Sequence, residues 1–205
     1  MEPDQLLHQV LTADRTLRQA EAAFLAVGPS KVVPLLAQRV GAVASQQGDE
    51  IVAELCRLAT LCLAVGAEGV APILIQILDH DSPQARATAG AALLEVGYDR
   101  YAEVAQAIEQ RLQGPDGYAL EELPTIIVEI AEPSARKLLR GFLARDNANI
   151  VATAMEAFAA LGEPEAIAYL EPFTQDPRTV SIEDLDVETA TLGELAAACI
   201  DELSE

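Results

Sequence analysis

A phrase recurs along this chain: an alanine-rich amphipathic stretch, an elbow at glycine, then a second apolar stretch. It reads AEAAFLAVG at 20–28, LATLCLAVG at 58–66, AGAALLEVG at 89–97 and AMEAFAALG at 154–162. Aligned on Gly28, Gly66, Gly97 and Gly162, the residues four before are Phe24, Cys62, Leu93 and Phe158. Those one before are Val27, Val65, Val96 and Leu161. A fifth copy has no glycine: Pro124, Ile127, Val128 and Ala131 fill the same positions ahead of an elbow at Glu132-Pro133. Elbow-to-elbow steps of 38, 31, 35 and 30 residues fit a stack of helical hairpins. Units this short bury their apolar faces only against one another, so the phrase dictates an array.

The second stretches are equally regular. PSKVVPLLAQRV follows Gly28 and AEGVAPILIQIL follows Gly66, which sets Val32 with Val70 and Pro34 with Pro72. Both prolines are expected in the first turn of a helix, where the missing N–H costs no intrahelical bond. The spacing predicts hairpins over about 11–45, 48–79, 82–113, 117–144 and 147–174, separated by turn formers. Ser82 and Asp116 are candidate helix starts. Residues 175–186 break the period and read as an ordered extended loop with a turn near 181–185. A capping helix is expected over 187–203, with Ala190, Leu192 or Leu195, Ala196, Cys199, Ile200 and Leu203 on its apolar face. Residues 5–11 are expected to cap the other end.

Apolar residues make up 51% of the chain and aromatics only 4%, so the core is Ala, Leu, Val and Ile. Net charge is −20, unevenly spread. Residues 1–47 hold four acidic and four basic side chains, whereas 147–205 hold thirteen acidic and one basic, Arg178. The C-terminal block therefore repels phosphates and anionic lipid, and attracts a basic partner surface; its plainer use is to keep an alanine-rich array in solution. Cys56, Cys62 and Cys199 lack CxxC spacing and read as core thiols in a reducing compartment. No signal-like start and no run of about 20 apolar residues is present, which points to a cytoplasmic protein without membrane insertion.

Catalytic constellations are scarce. His8 and His80 are the only histidines, too few for a multi-histidine metal site. Asp79-His80-Asp81 reads as an inter-repeat turn, because consecutive residues rarely converge on one ion. No GxGxxG or GxxxxGK[ST] offers a phosphate cradle. No catalytic residue, cofactor or metal is expected. Nucleic acid is disfavoured by the charge and the absence of Trp. One local cluster is basic: Arg136, Lys137, Arg140 and Arg145 either neutralise Glu129, Glu132 and neighbouring acids or anchor an acidic feature of a partner.

The pattern Asp81, Arg86, Ala89, Ala92, Leu93, Gly97 resembles a HEAT repeat. The V-x-P-x-L after the elbow glycine is similar to the HEAT-like repeats first named from phycobilin lyases. The opening VLTADRTLRQAEAAFL is also similar to the first repeat of karyopherin-type receptors. The HEAT resemblance implies an all-α fold, a right-handed α-solenoid of about five helical hairpins plus capping helices in a single domain. It also implies an Asp–Arg ladder, interrupted where Ile150 stands near the arginine's place. The expected function is a noncatalytic scaffold or adaptor binding another protein along the concave wall of second helices. Residues off the apolar stripe are the candidate contacts there: Arg39, Gln76, Arg100, Glu103, Gln106, Arg136, Arg140, Glu165 and Tyr169, with Tyr98 beside the third elbow. Tyr101 shares the register of Val32 and Val70 and is expected to be buried. Glu183, Asp184, Asp186 and Glu188 are the candidate steering acids. The alternative that the resemblance carries is a chromophore lyase-like or cofactor-assembly subunit for a pigment or metal protein.

Overall fold

The computed structural model describes residues 2–180 and 189–204. The fold is all-α. Among the described residues ten α-helices follow one another: α1 Pro3–Leu25, α2 Pro29–Val43, α3 Asp49–Val65, α4 Ala71–Leu78, α5 Pro83–Arg111, α6 Tyr118–Ile130, α7 Ala135–Leu143, α8 Ala148–Leu161, α9 Ile167–Leu170 and α10 Leu192–Leu203. Two-residue strands β1 (Thr179–Val180) and β2 (Ala190–Thr191) pair antiparallel just ahead of α10. The β-branched pair at 179–180 is therefore extended, and the rest of the expected loop, 181–186, lies outside the described residues.

The helices form two layers. In one, α1, α3, α5, α6, α8 and α10 each pack on the next. In the other, α2 packs on α4 and the end of α5 on α7. Between them runs one continuous core from Val32 to Leu203, with Phe142 and Phe158 among its largest fully buried side chains. Alanines Ala59, Ala85, Ala89, Ala119 and Ala154 are completely buried, which lets backbones approach closely. No single helix among the described residues is long and apolar enough to cross a membrane.

The elbows are real in three copies. Gly66 and Gly162 end α3 and α8 in the left-handed region, at φ 59° and 65°, where a side chain is disfavoured. Gly28, at φ 101°, opens α2. In the fifth copy the turn falls at Ala131 (φ 56°), one residue ahead of the expected Glu132. The third copy corrects the sequence reading. Helix α5 runs straight through Gly97 and breaks at Arg100 (φ −142°, ψ 51°). Gly97 is buried, and a Cβ there would collide with the Ile130 side chain of α6. That glycine serves a close helix approach rather than a bend.

Four smaller expectations change. Pro29 starts α2, so Pro34 sits inside the helix, beyond its first turn, while Pro72 does lie in the first turn of α4. Gly117, not Asp116, precedes α6, and Ser82 precedes α5 without a side-chain cap bond. Helix α10 starts at Leu192, five residues later than expected, because Thr191 and Glu194 form a capping box. Hydrogen bonds from the Thr191 backbone and hydroxyl hold the Glu194 carboxyl below the usual carboxylate range. Residues 5–11 belong to α1, which has no buried residue, so among the described residues this segment covers no core.

Candidate interaction surface

Two edges of the molecule carry its polar chemistry. On one edge the inter-repeat turns are tied together by a series of side chains that each reach back one turn. The His80 Nε2–H donates to the Gln46 carbonyl at 2.9 Å, and the Ser82 N–H donates to His80 Nδ1 at 3.0 Å. This pairing uses the neutral ring protonated on Nε2. Arg111 donates to both Asp79 oxygens at 2.6 and 2.9 Å, and Asp79 Oδ1 also accepts from the Ala119 N–H at 3.0 Å. Arg145 donates to the Leu112 and Gly114 carbonyls at 2.9 and 3.0 Å and pairs with Asp116. Arg178 donates to the Arg145 and Asp146 carbonyls at 3.1 and 2.9 Å. Its guanidinium also hydrogen-bonds Asp176 and so holds that carboxyl below the usual range.

These four rungs join residues 31–34 apart, the length of one hairpin. Arg145, read from sequence with the basic cluster, is thus a structural tie. Nothing in the local sequence around Arg111 points to a partner, and Arg178 reads there only as the lone base of an acidic block. The signal was present: Arg111, Arg145 and Arg178 recur at steps of 34 and 33 residues, each beside a turn. Arg86, the residue carrying the HEAT resemblance, donates to the Asp81 carbonyl at 2.8 Å and to Glu122 at 2.9 Å, and its guanidinium lies 4.6 Å over the Tyr118 ring. Ile150, where that arginine is missing, is fully buried.

The other edge and the second helices hold the sequence-derived contact candidates, and the structure separates them. Arg39 pairs with Glu54 across α2 and α3. Glu103 accepts from the Gly69 and Ala71 N–H groups at 2.8 and 3.2 Å, so it caps the start of α4. Arg100 sits at the break in α5, 3.4 Å from Glu103. Tyr101 is half-buried, with no partner for its hydroxyl among the described residues. Arg136 pairs with Glu163 and Glu165 at 3.2 and 3.6 Å. Arg140 stacks 4.6 Å from the Tyr169 ring, which in turn meets Phe158. Gln76, Tyr98 and Gln106 are exposed. Glu183, Asp184, Asp186 and Glu188 lie outside the described residues.

A groove of about 450 Å³ opens between the end of α5 and α7, lined by Glu109, Leu112, Gln113, Lys137, Leu138 and Gly141, among others. Gly141 shapes it, since a Cβ there would stand 2.8 Å from Leu112 Cδ1. Lys137, on its wall, has no ion-pair partner among the described residues. The groove was not legible as such, because it depends on how closely two second helices approach.

The thiols match a reduced core only in part. Cys62 and Cys199 are buried, and Cys56 is half-buried, accepting from the Thr88 hydroxyl at 3.4 Å. Burial pushes the Cys62 thiol up to about 12; burial, helped by the Glu156 and Glu202 carboxylates, pushes Cys199 to about 11. Both are neutral thiols at physiological pH.

No family model matches the chain, and no curated protein matches it. Among solved structures it is similar to an engineered protein from the Northeast Structural Genomics Consortium, at 15% identity over 100% of this chain and 97% of that one. The TM-score is 0.41, a likeness too distant to carry an argument.

Proposed function

We propose that this protein is a noncatalytic scaffold or adaptor, a right-handed α-solenoid of HEAT-like hairpins that binds another protein along its second helices. The observation that carries the reading is the groove between α5 and α7. It combines an apolar floor at Leu112 and Leu138 with polar walls from Glu109, Gln113 and Lys137, the mix that protein interfaces favour. Around it Gln106 and Arg140 are exposed on the same pair of helices. The mechanism is shape with steering: the helices offer a preformed wall, and the acid-rich residues 147–205 draw in a basic partner surface. Three unpaired thiols support action in a reducing compartment such as the cytoplasm.

The test is capture from native lysate with the wild type beside the double variant Gln113→Ala/Lys137→Glu. Both side chains line the groove without entering the core, so the variant is expected to fold normally. One protein held stoichiometrically by the wild type, released at high salt and lost by the variant, is the expected result. Equal capture by both, or none by the wild type, overturns the reading.

A further inference from the structure

His80, 4% exposed, is the one buried polar or charged side chain among the described residues. It lies in the turn between α4 and α5, where three hairpins meet. Nε2 donates to the Gln46 carbonyl behind α2, and Nδ1 accepts from the Ser82 N–H just ahead of α5. The His80 carbonyl in turn accepts from Arg86 of α5 at 3.2 Å. The bond from Ser82 needs the neutral ring, yet Nδ1 has a second neighbour: Asp81 Oδ1 lies 3.2 Å away. A donor and an acceptor thus both stand within reach of one ring nitrogen, and the protonation of that nitrogen decides which is used.

We propose that His80 is a proton-operated catch. When the ring takes up a proton from solvent, Nδ1 becomes a donor, bonds the Asp81 carboxylate and releases the Ser82 N–H. Two N–H groups cannot point at each other, so the Ser82 bond and the charged ring exclude one another. The bond to Gln46 survives, because Nε2 donates in both states. The catch therefore loosens the entry to α5 without unhooking the second hairpin from the first. The surroundings admit the added charge. Asp79 and Asp81 supply carboxylates from the turn itself, α5 contributes Arg86 and Arg111, and α6 contributes Glu122 and Tyr118. Three carboxylates against two guanidiniums leave room for one more positive charge. Helix α4 carries no charged residue, and the first-turn acids of α3, Asp49 and Glu50, do not line the site. A cleft of about 200 Å³, lined by Gln46, Gln47, Asp79, His80, Asp81 and Tyr118 among others, lets the proton in.

The experiment is nitrogen-15 NMR of the full chain from about pH 8 to about pH 5, the range in which histidine changes charge. The ring signals are expected to show Nε2–H alone at the upper end and both N–H groups at the lower. Over the same step the protection of the Ser82 amide from hydrogen exchange, corrected for the intrinsic effect of pH, is expected to fall about tenfold. The Gly193 amide, bonded to the Asp176 carbonyl, is expected to keep its protection. Asp81→Asn, at an exposed side chain, removes the charged acceptor and is expected to move the step about one pH unit lower. A ring that stays neutral at the lower end overturns the proposal, as does a proton taken up with Ser82 protection unchanged or a step indifferent to Asp81→Asn. So does loss of the helical circular dichroism spectrum before the ring charges.

Discussion

Arg145 serves a turn that belongs to the preceding hairpin. One guanidinium satisfies the Leu112 and Gly114 carbonyls and neutralises Asp116, all 29 to 33 residues back. Arg145→Ala leaves those carbonyls unpaired and strands the carboxylate. A loss of about 2 kcal/mol is expected from hydrogen bonds to a charged group of this kind. For a chain of this size that lowers Tm by roughly 4–8 °C, read by calorimetry. Arg145→Lys should recover less than half of it, because an ammonium cannot reproduce the planar fork. At this scale the sequence was least legible. Arg136 and Arg145 look alike in a local window, yet one meets Glu163 and Glu165 ahead of it and the other three groups behind it. Side-chain partners a hairpin away are visible only once neighbouring hairpins are docked.

Among the elements, α5 teaches the most. Its glycine matched the elbow position of three other copies, and the apolar register around it was correct: Ala89, Leu93 and Val96 are all buried. Yet a glycine has two physical uses, freedom of backbone and absence of a side chain, and sequence alone does not separate them. Position 97 uses the second. Gly97→Ala is expected to cost about 1–3 kcal/mol by overpacking against Ile130. Combined with Ile130→Val, which removes the crowding methyl, the cost should fall below the sum of the two single changes. Urea denaturation of the four proteins in this cycle measures the coupling. Additive losses would show that the two side chains do not meet. The apolar period, by contrast, was strong enough to place the core helices, because alternation at 3.6 residues is a local property.

Across the whole molecule, charge and apolar exposure run in opposite directions: residues 1–47 are charge-balanced and α1 is apolar and exposed, while residues 147–205 are strongly acidic. Nine of thirteen basic side chains are already paired with the protein's own acids among the described residues. The surplus acids repel one another, so screening should stabilise the fold. Tm is expected to rise as sodium chloride is added from low ionic strength, and a fall would mean that the ion pairs outweigh the repulsion. The array of hairpins was legible from the repeat phrase because each copy carries its own apolar pattern. The contact surface was not, since a groove is a relation between two helices, and the partners that Arg39, Arg100, Arg136 and Arg140 meet within the chain are set by docking.

The rungs have a mechanical consequence. Each one ties a turn only to the turn before it, and together they line a single edge. The opposite edge carries fewer such ties, chiefly Glu103 to the start of α4 and Arg136 to Glu163 and Glu165, so the rung edge is the more densely laced of the two. A pull on the two ends is therefore expected to open the less densely laced border first, as in a spring that is stiffer along one side than along the other.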